Sequence, residues 1–155
     1  GAAAGVRVVV AHCASHGEDR DLDAGPAGPV VPSFQLFARM MDDPRHHRRL
    51  FADISAVTQF DRADVVAALL ARPHWHDRLL NGSDYPLPGI PPLISVGGLV
   101  RRGLLEVEHE TFLRDVRQHN PLLFDFALKR LLRRDGVGFP VRVFETRAFF
   151  DRSAT

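Results

Sequence analysis

The residues Val6 to Ala11 read VRVVVA, a nearly unbroken β-branched run that stops abruptly at a polar His12. Such a run suits a strand buried on both faces, as in a parallel sheet. Two further apolar runs follow: Leu50 to Val57 (LFADISAV), interrupted by Asp53 and Ser55, and Arg78 to Gly82, which leads into LLNGSDYPLPG. Between them the spacing turns helical. Ser33 is read as an N-cap for FQLFARMM, which Asp42, Asp43 and Pro44 close, and Asp61 to Ala71 is read as a helix stopped by Pro73. Strands and helices alternating at about 30 to 40 residues per unit predict an α/β chain with a parallel sheet and right-handed crossovers.

Past the third run the pattern is helical: Pro92 to Arg102, Val107 to Gln118, and Pro121 to Arg133, with Asn120 and Pro121 suited to a helix start. Phe139 to Phe150 has apolar residues without a clean period and is read as an irregular tail. Ala14 to Pro32 carries several glycines, prolines and acids and is read as one long loop, a length usually tied to function or disorder.

Composition narrows the function classes. With 155 residues, 45% hydrophobic and 25% charged, the chain can build one core, and disordered or collagen-like classes drop out. A formal net charge of +1 with interspersed signs gives no reason to expect nucleic acid or an anionic membrane as partner. The short basic patches, Arg45 to Arg49 and Arg130 to Arg134, read as solvated helix faces. Cys13 is the only cysteine, so an intramolecular disulfide is impossible. No run approaches the ~20 apolar residues of a membrane span, and no signal-peptide pattern opens the chain, so a cytoplasmic location is the default expectation. Lys129, the single lysine among many arginines, reads as codon bias. The opening GAAAGVRVVVAHC, without Met, reads as a piece of something longer.

The polar residues sit where chemistry would need them. His12 follows the first run, Asp53 and Ser55 lie in the second, and Asp84 follows the third; the C-terminal edge of a parallel sheet is where active sites form. Each alone has an ordinary reading: a satisfied histidine, a sheet cap, a turn residue. Period 2 places Leu80, Gly82 and Asp84 on one side, with Gly82 leaving room beside Asp84. Imidazole and carboxylate suit zinc or a similar divalent ion, whose catalytic sites take about three protein ligands and an open water position. Two candidates fall short of that set. His74 and His76 have ligand-like spacing, but Pro73 precedes them and they enter the third strand at its structural end. Cys13 is read as a small buried residue in preference to a ligand or nucleophile.

The ordered motifs VVVAHC, LFADIS and RLLNGSDYPLPG resemble the C-terminal half of amidohydrolase-superfamily enzymes, in the amidohydrolase-related branch of decarboxylases, lactonases and hydratases acting on small carboxylated substrates. The resemblance implies a partial (β/α)8 TIM barrel: the last three βα units plus C-terminal helices over residues 1–135, with 136–155 as an irregular tail. It makes Asp84 the eighth-strand aspartate that binds or adjoins the metal, and His12 the sixth-strand histidine at the metal-bound water. ADIS is similar to the seventh strand, and NPLLFDFALKR to the late helix. The implied cofactor is a divalent metal, zinc foremost, with Asp84 and His12 as catalytic residues and ligands. Asp53 and Ser55 would line the pocket, the 14–32 loop would cover its mouth, and His16, Arg20 and Tyr85 would meet the small-molecule substrate.

The departures matter equally. The family's first-strand His-x-His pair and fifth-strand His have no counterpart here, and Cys13 and Ala14 stand where many relatives have glycines. A full barrel needs about 250 residues, so the missing N-terminal half becomes an implied partner, and a homo-oligomer stays open. The piece alone is expected to be inactive and poorly stable, with exposed sheet edges. The alternatives are a decarboxylase of the same branch and a non-catalytic or degenerate α/β interaction module.

Overall fold

The computed structural model describes residues 6–151. In chain order it holds β1 (Val8–Val10), β2 (Glu18–Arg20), β3 (Val30–Pro32), α1 (Ser33–Asp42), β4 (Leu50–Asp53), α2 (Ala63–Leu70) and β5 (Leu79–Leu80). Then come α3 (Val96–Arg101), α4 (Glu110–His119), α5 (Pro121–Leu131) and α6 (Arg147–Phe150), with 3-10 turns between many of them.

The three apolar runs do pair in parallel, in the order β1-β4-β5. Val8 lies opposite Leu50 and Val10 opposite Ala52, while Ala52 lies opposite Leu79 and Asp53 opposite Leu80. The architecture is therefore mixed α/β around a small parallel sheet. The strands are shorter than the runs because each run turns early: Ala11–Ala14 forms a 3-10 turn, and Leu50 to Val57 leaves the sheet at Asp53. Burial on both faces of the first run is not found. Val9 is 38% exposed and its neighbours half-buried, because β1 is an outer strand.

The segment read as one loop folds back on itself. β2 and β3 form an antiparallel ribbon, Glu18 opposite Pro32 and Arg20 opposite Val30. Its turn is drawn tight by hydrogen bonds from Asp21 N to Pro29 O (2.8 Å) and from the Arg20 guanidinium to Gly28 O (2.7 Å). A Cβ on Gly28 would collide with the Asp21 carbonyl, so the ribbon requires glycine there. Ser33 is already helical and Pro32 takes the capping position without a side-chain bond, a correction to the expected serine cap. The Ser33 amide is instead satisfied by Gly17 O at 3.0 Å.

Helix α5 starts as its sequence predicts: the Asn120 carboxamide oxygen accepts from Leu123 N at 2.9 Å and Pro121 occupies the first turn. α3 begins later than expected, at Val96, because Ser95 supplies the cap to Gly98 N. The stretch read as an irregular tail is ordered into a 3-10 turn at Val141–Val143 and the short α6. Phe139 and Val143 belong to the same buried cluster as Trp75, Phe124 and Leu128, so the tail packs into the core. Asn81 N donates to Val143 O at 2.7 Å, which lays this segment beside the end of β5.

Candidate active site at the C-terminal edge of the sheet

Each of the three parallel strands is followed within four residues by left-handed backbone. His12, Cys13 and Ala14 have φ of 55°, 52° and 48°, Ala56 has 54° and Asp84 has 54°. For residues with a Cβ this conformation costs roughly 1–2 kcal/mol each. Such outliers gathered at one edge mark a place where geometry is held against local preference. The effect is to turn each chain sharply so that polar side chains after the strands converge.

Asp53 organises the convergence. Its Oδ1 accepts from His12 N at 3.1 Å, from Ser55 N at 2.9 Å and from the Ser55 hydroxyl. The same serine Oγ lies 2.6 Å from His12 Nδ1. A carboxylate only accepts, so the serine O–H points to Asp53 and its lone pair faces the ring. Nδ1 must then carry the proton, an assignment made from the hydrogen-bond network. In the neutral ring this leaves Nε2 bare, and Nε2 faces Asp84 Oδ2 at 3.8 Å. Both side chains are about one-third exposed, 36% for His12 and 32% for Asp84, so solvent and ligands reach the gap.

Gly82 serves this arrangement differently from the expectation. A Cβ there would meet Ser55 Cβ at 3.3 Å and Asp53 Cβ at 3.8 Å, so the glycine makes room for Asp53 and Ser55 rather than for a molecule beside Asp84. Behind it lies Lys129 on α5, fully buried, whose Nζ donates to Gly82 O and to Asp125 Oδ2, each at 2.6 Å. Burial pulls the ammonium toward neutrality, opposed first by Asp125 and then by Asp53 and Asp84. Burial likewise pushes the Asp125 carboxyl upward, opposed by Lys129. The close contact and the second bond, to Gly82, favour the charged form of the pair. Cys13 is fully buried with Sγ 3.2 Å from Asp53 O, and burial, aided by the Asp53 charge, pushes its thiol far above the usual range.

Of the residues singled out in the sequence, His12, Asp53, Ser55 and Asp84 come together. His16, Arg20 and Tyr85 do not join them by any hydrogen bond or ion pair. His16 lies 3.8 Å from Asp61, Arg20 is spent on the ribbon turn, and Tyr85 is 65% exposed beside a cis bond to Pro86. His74 pairs with Asp42 at 3.1 Å and the buried His76 bonds Leu69 O, both structural. Lys129 and Asp125 were missed, although an acid and the sole lysine at i,i+4 on an apolar helix are a readable pairing signal.

As a metal site the donor set fits in kind and is short in number. Imidazole Nε2 and the Asp84 carboxylate face one another and have no hydrogen bond to any described residue, but the described residues form no group of three potential ligands. Comparison with known proteins returns no matching family model, no matching curated protein and no matching solved structure.

Proposed function

We propose that the chain carries the strand-end part of a metal-dependent amidohydrolase-type active site, acting on a small polar or carboxylated substrate. The observation that carries this reading is the His12 ring: Ser55 and Asp53 secure Nδ1, and the bare Nε2 faces an unbonded carboxylate of Asp84. A carboxylate and a hydroxyl that fix an imidazole's tautomer from behind are the usual support for a metal-binding histidine.

In this reading His12 Nε2 and Asp84 hold the ion, zinc foremost, and further ligands come from a part of the barrel outside this chain. The ion would supply Lewis acidity, bringing a water's pKa to about 7. The chain's own residues do the rest. Asp84 offers a carboxylate oxygen as proton acceptor at the mouth. Asp53 and Ser55 keep the imidazole oriented, and Lys129 fixes the Gly82 carbonyl from which the Asp84 turn departs. A decarboxylase would use the same residues.

No helix among the described residues is long and apolar enough to cross a membrane; the cytoplasmic location is proposed for the whole protein. The two-ligand count favours one competing reading, a degenerate barrel serving as an interaction module. Zinc titration with isothermal calorimetry separates them. The enzyme reading expects saturable binding that Asp84→Asn and His12→Ala each weaken by at least about tenfold, or 1.4 kcal/mol, with the circular dichroism unchanged. Zinc affinity indifferent to both variants would sink the ligand assignment.

A further inference from the structure

A cavity separate from the His12–Asp84 pair lies where the segment after β4 meets α3. It has a volume of about 320 Å³ and is lined by Thr58, Gln59, Phe60, Ser95, Leu99 and Arg101, among others. We propose that it binds a small aryl monocarboxylate. The proposal stands independently of the metal reading.

Charge is the first argument. Two arginines border the cavity, and Arg102 is neutralised by Asp64 at 2.6 Å. Arg101 makes no ion pair with any described residue, and the nearby Glu110 carboxylate is engaged by Arg114, so the cavity edge presents one guanidinium without a direct partner, a fork matched to a single carboxylate. A neutral or cationic ligand would leave that charge unanswered, and a dianion would bring a surplus charge of its own.

Polar satisfaction is the second. Thr58 is 1% exposed and its hydroxyl has no hydrogen-bond partner among the described residues. Gln59, its neighbour in the cavity wall, is 7% exposed and adds a polar amide beside it. Buried polar atoms are rarely left unpaired, and an unpaired hydroxyl at a cavity wall marks where a ligand or water completes the network. The remaining wall is apolar: Leu99 and Ala63 are buried and the Phe60 ring is 59% exposed. A free aromatic face beside an aliphatic floor favours an aromatic ring in offset or edge contact, and the volume falls at the small end of ligand pockets, about 300–1,000 Å³. A Cβ on Gly98 would approach Ser95 Oγ to 2.9 Å, so this wall cannot carry a larger side chain without displacing the serine cap.

The cavity is also tied to the strand-end cluster. Thr58 follows Ser55 by three residues, which limits their Cα separation to roughly 11 Å. The intervening residues are buried, so a ligand held there bears on the segment that carries Asp53 and Ser55.

Sodium benzoate is the probe, followed by ¹H–¹⁵N NMR on the chain, with benzamide as the uncharged control. Saturable shifts of amides 58–60 and 98–101 with benzoate, absent with benzamide, are expected. Arg101 is exposed, so Arg101→Gln should leave the fold intact and weaken benzoate at least about tenfold, with Arg101→Lys intermediate. Asp84→Asn should bind benzoate as the parent does. The proposal fails if no saturable shift occurs up to about 10 mM, a limit set by millimolar affinity being only ~4 kcal/mol. It also fails if Arg101→Gln binds equally, or if the shifts centre on His12 and Asp84 and vanish in Asp84→Asn.

Discussion

Lys129 Nζ lies 2.6 Å from the carbonyl oxygen of Gly82, 47 positions earlier in the chain, and the same distance from Asp125 Oδ2. A helix that otherwise packs apolar side chains thus reaches under the strand ends with a fully buried cation. Removing one partner of such a pair strands the other. Lys129→Met is expected to cost about 3–5 kcal/mol in urea unfolding. The double variant Asp125→Leu with Lys129→Met should recover most of that loss, since a matched apolar replacement strands no charge. Equal destabilisation in single and double variants would show that the ion pair is not what the site rests on.

The imidazole of His12 should exist as the Nδ1–H form at alkaline pH, because Ser55 Oγ accepts from it while donating to Asp53. Nitrogen-15 shifts of the labelled ring read the tautomer directly. Ser55→Ala removes the acceptor and should let the Nε2–H form appear. Finding Nε2–H dominant in the unmodified chain would contradict the network.

Gly82→Ala tests the close approach of the second and third strand ends. The new methyl would meet Ser55 Cβ at 3.3 Å, so Ser55 must shift by a few tenths of an ångström. Overpacking of this kind costs about 1–3 kcal/mol, and the His12 ring resonances should move with the serine. A substitution neutral in both stability and ring shifts would mean the gap is looser than its contacts indicate.

Acid unfolding has an identifiable contributor outside the strand-end cluster. Asp43 is held down to about 2 from an ordinary 3.8, first by the side-chain hydrogen bonds of Arg45 and next by the Arg45 backbone N–H. A carboxyl whose folded value is depressed adds stability above 3.8, and that stability is lost as pH falls toward 2. Asp43→Asn should therefore lower the urea midpoint at neutral pH, with the difference from the parent shrinking across that window. Added salt should weaken the effect, because the pair is open to solvent. A gap constant with pH would assign the loss to something other than this charge.

Much of the frame was readable from the chain because it depends on local pattern. Runs such as VVV and LFAD announce parallel strands, and Asn120–Pro121 announces a helix start. The polar residues following the runs gave four members of the cluster, since strand ends in parallel sheets face one edge. What escaped depends on contacts distant in sequence. Composition offered an adequate reason for a lone lysine, and only packing shows that Lys129 reaches Gly82. The ribbon of β2 and β3 was hidden because its strands are three residues each and polar or proline-bearing, so they lack an alternating pattern. Gly82 reads as leaving room beside Asp84, but the strand ends at Leu80 and the Gly82 Cβ position meets Ser55, a neighbour that strand period alone cannot reveal. The tail was unreadable for a related reason: 3-10 turns bury residues without a 3.6-residue period.

The bond from Asn81 N to Val143 O has a consequence for synthesis. A ribosome delivers His12, Asp53 and Asp84 early, but Lys129 and the Val141–Val143 segment only near the end of this stretch of chain. Domains form as units when their last required element emerges. The acidic strand ends therefore wait, without their buried cation or their neighbour at β5, until the final helices have left the exit tunnel.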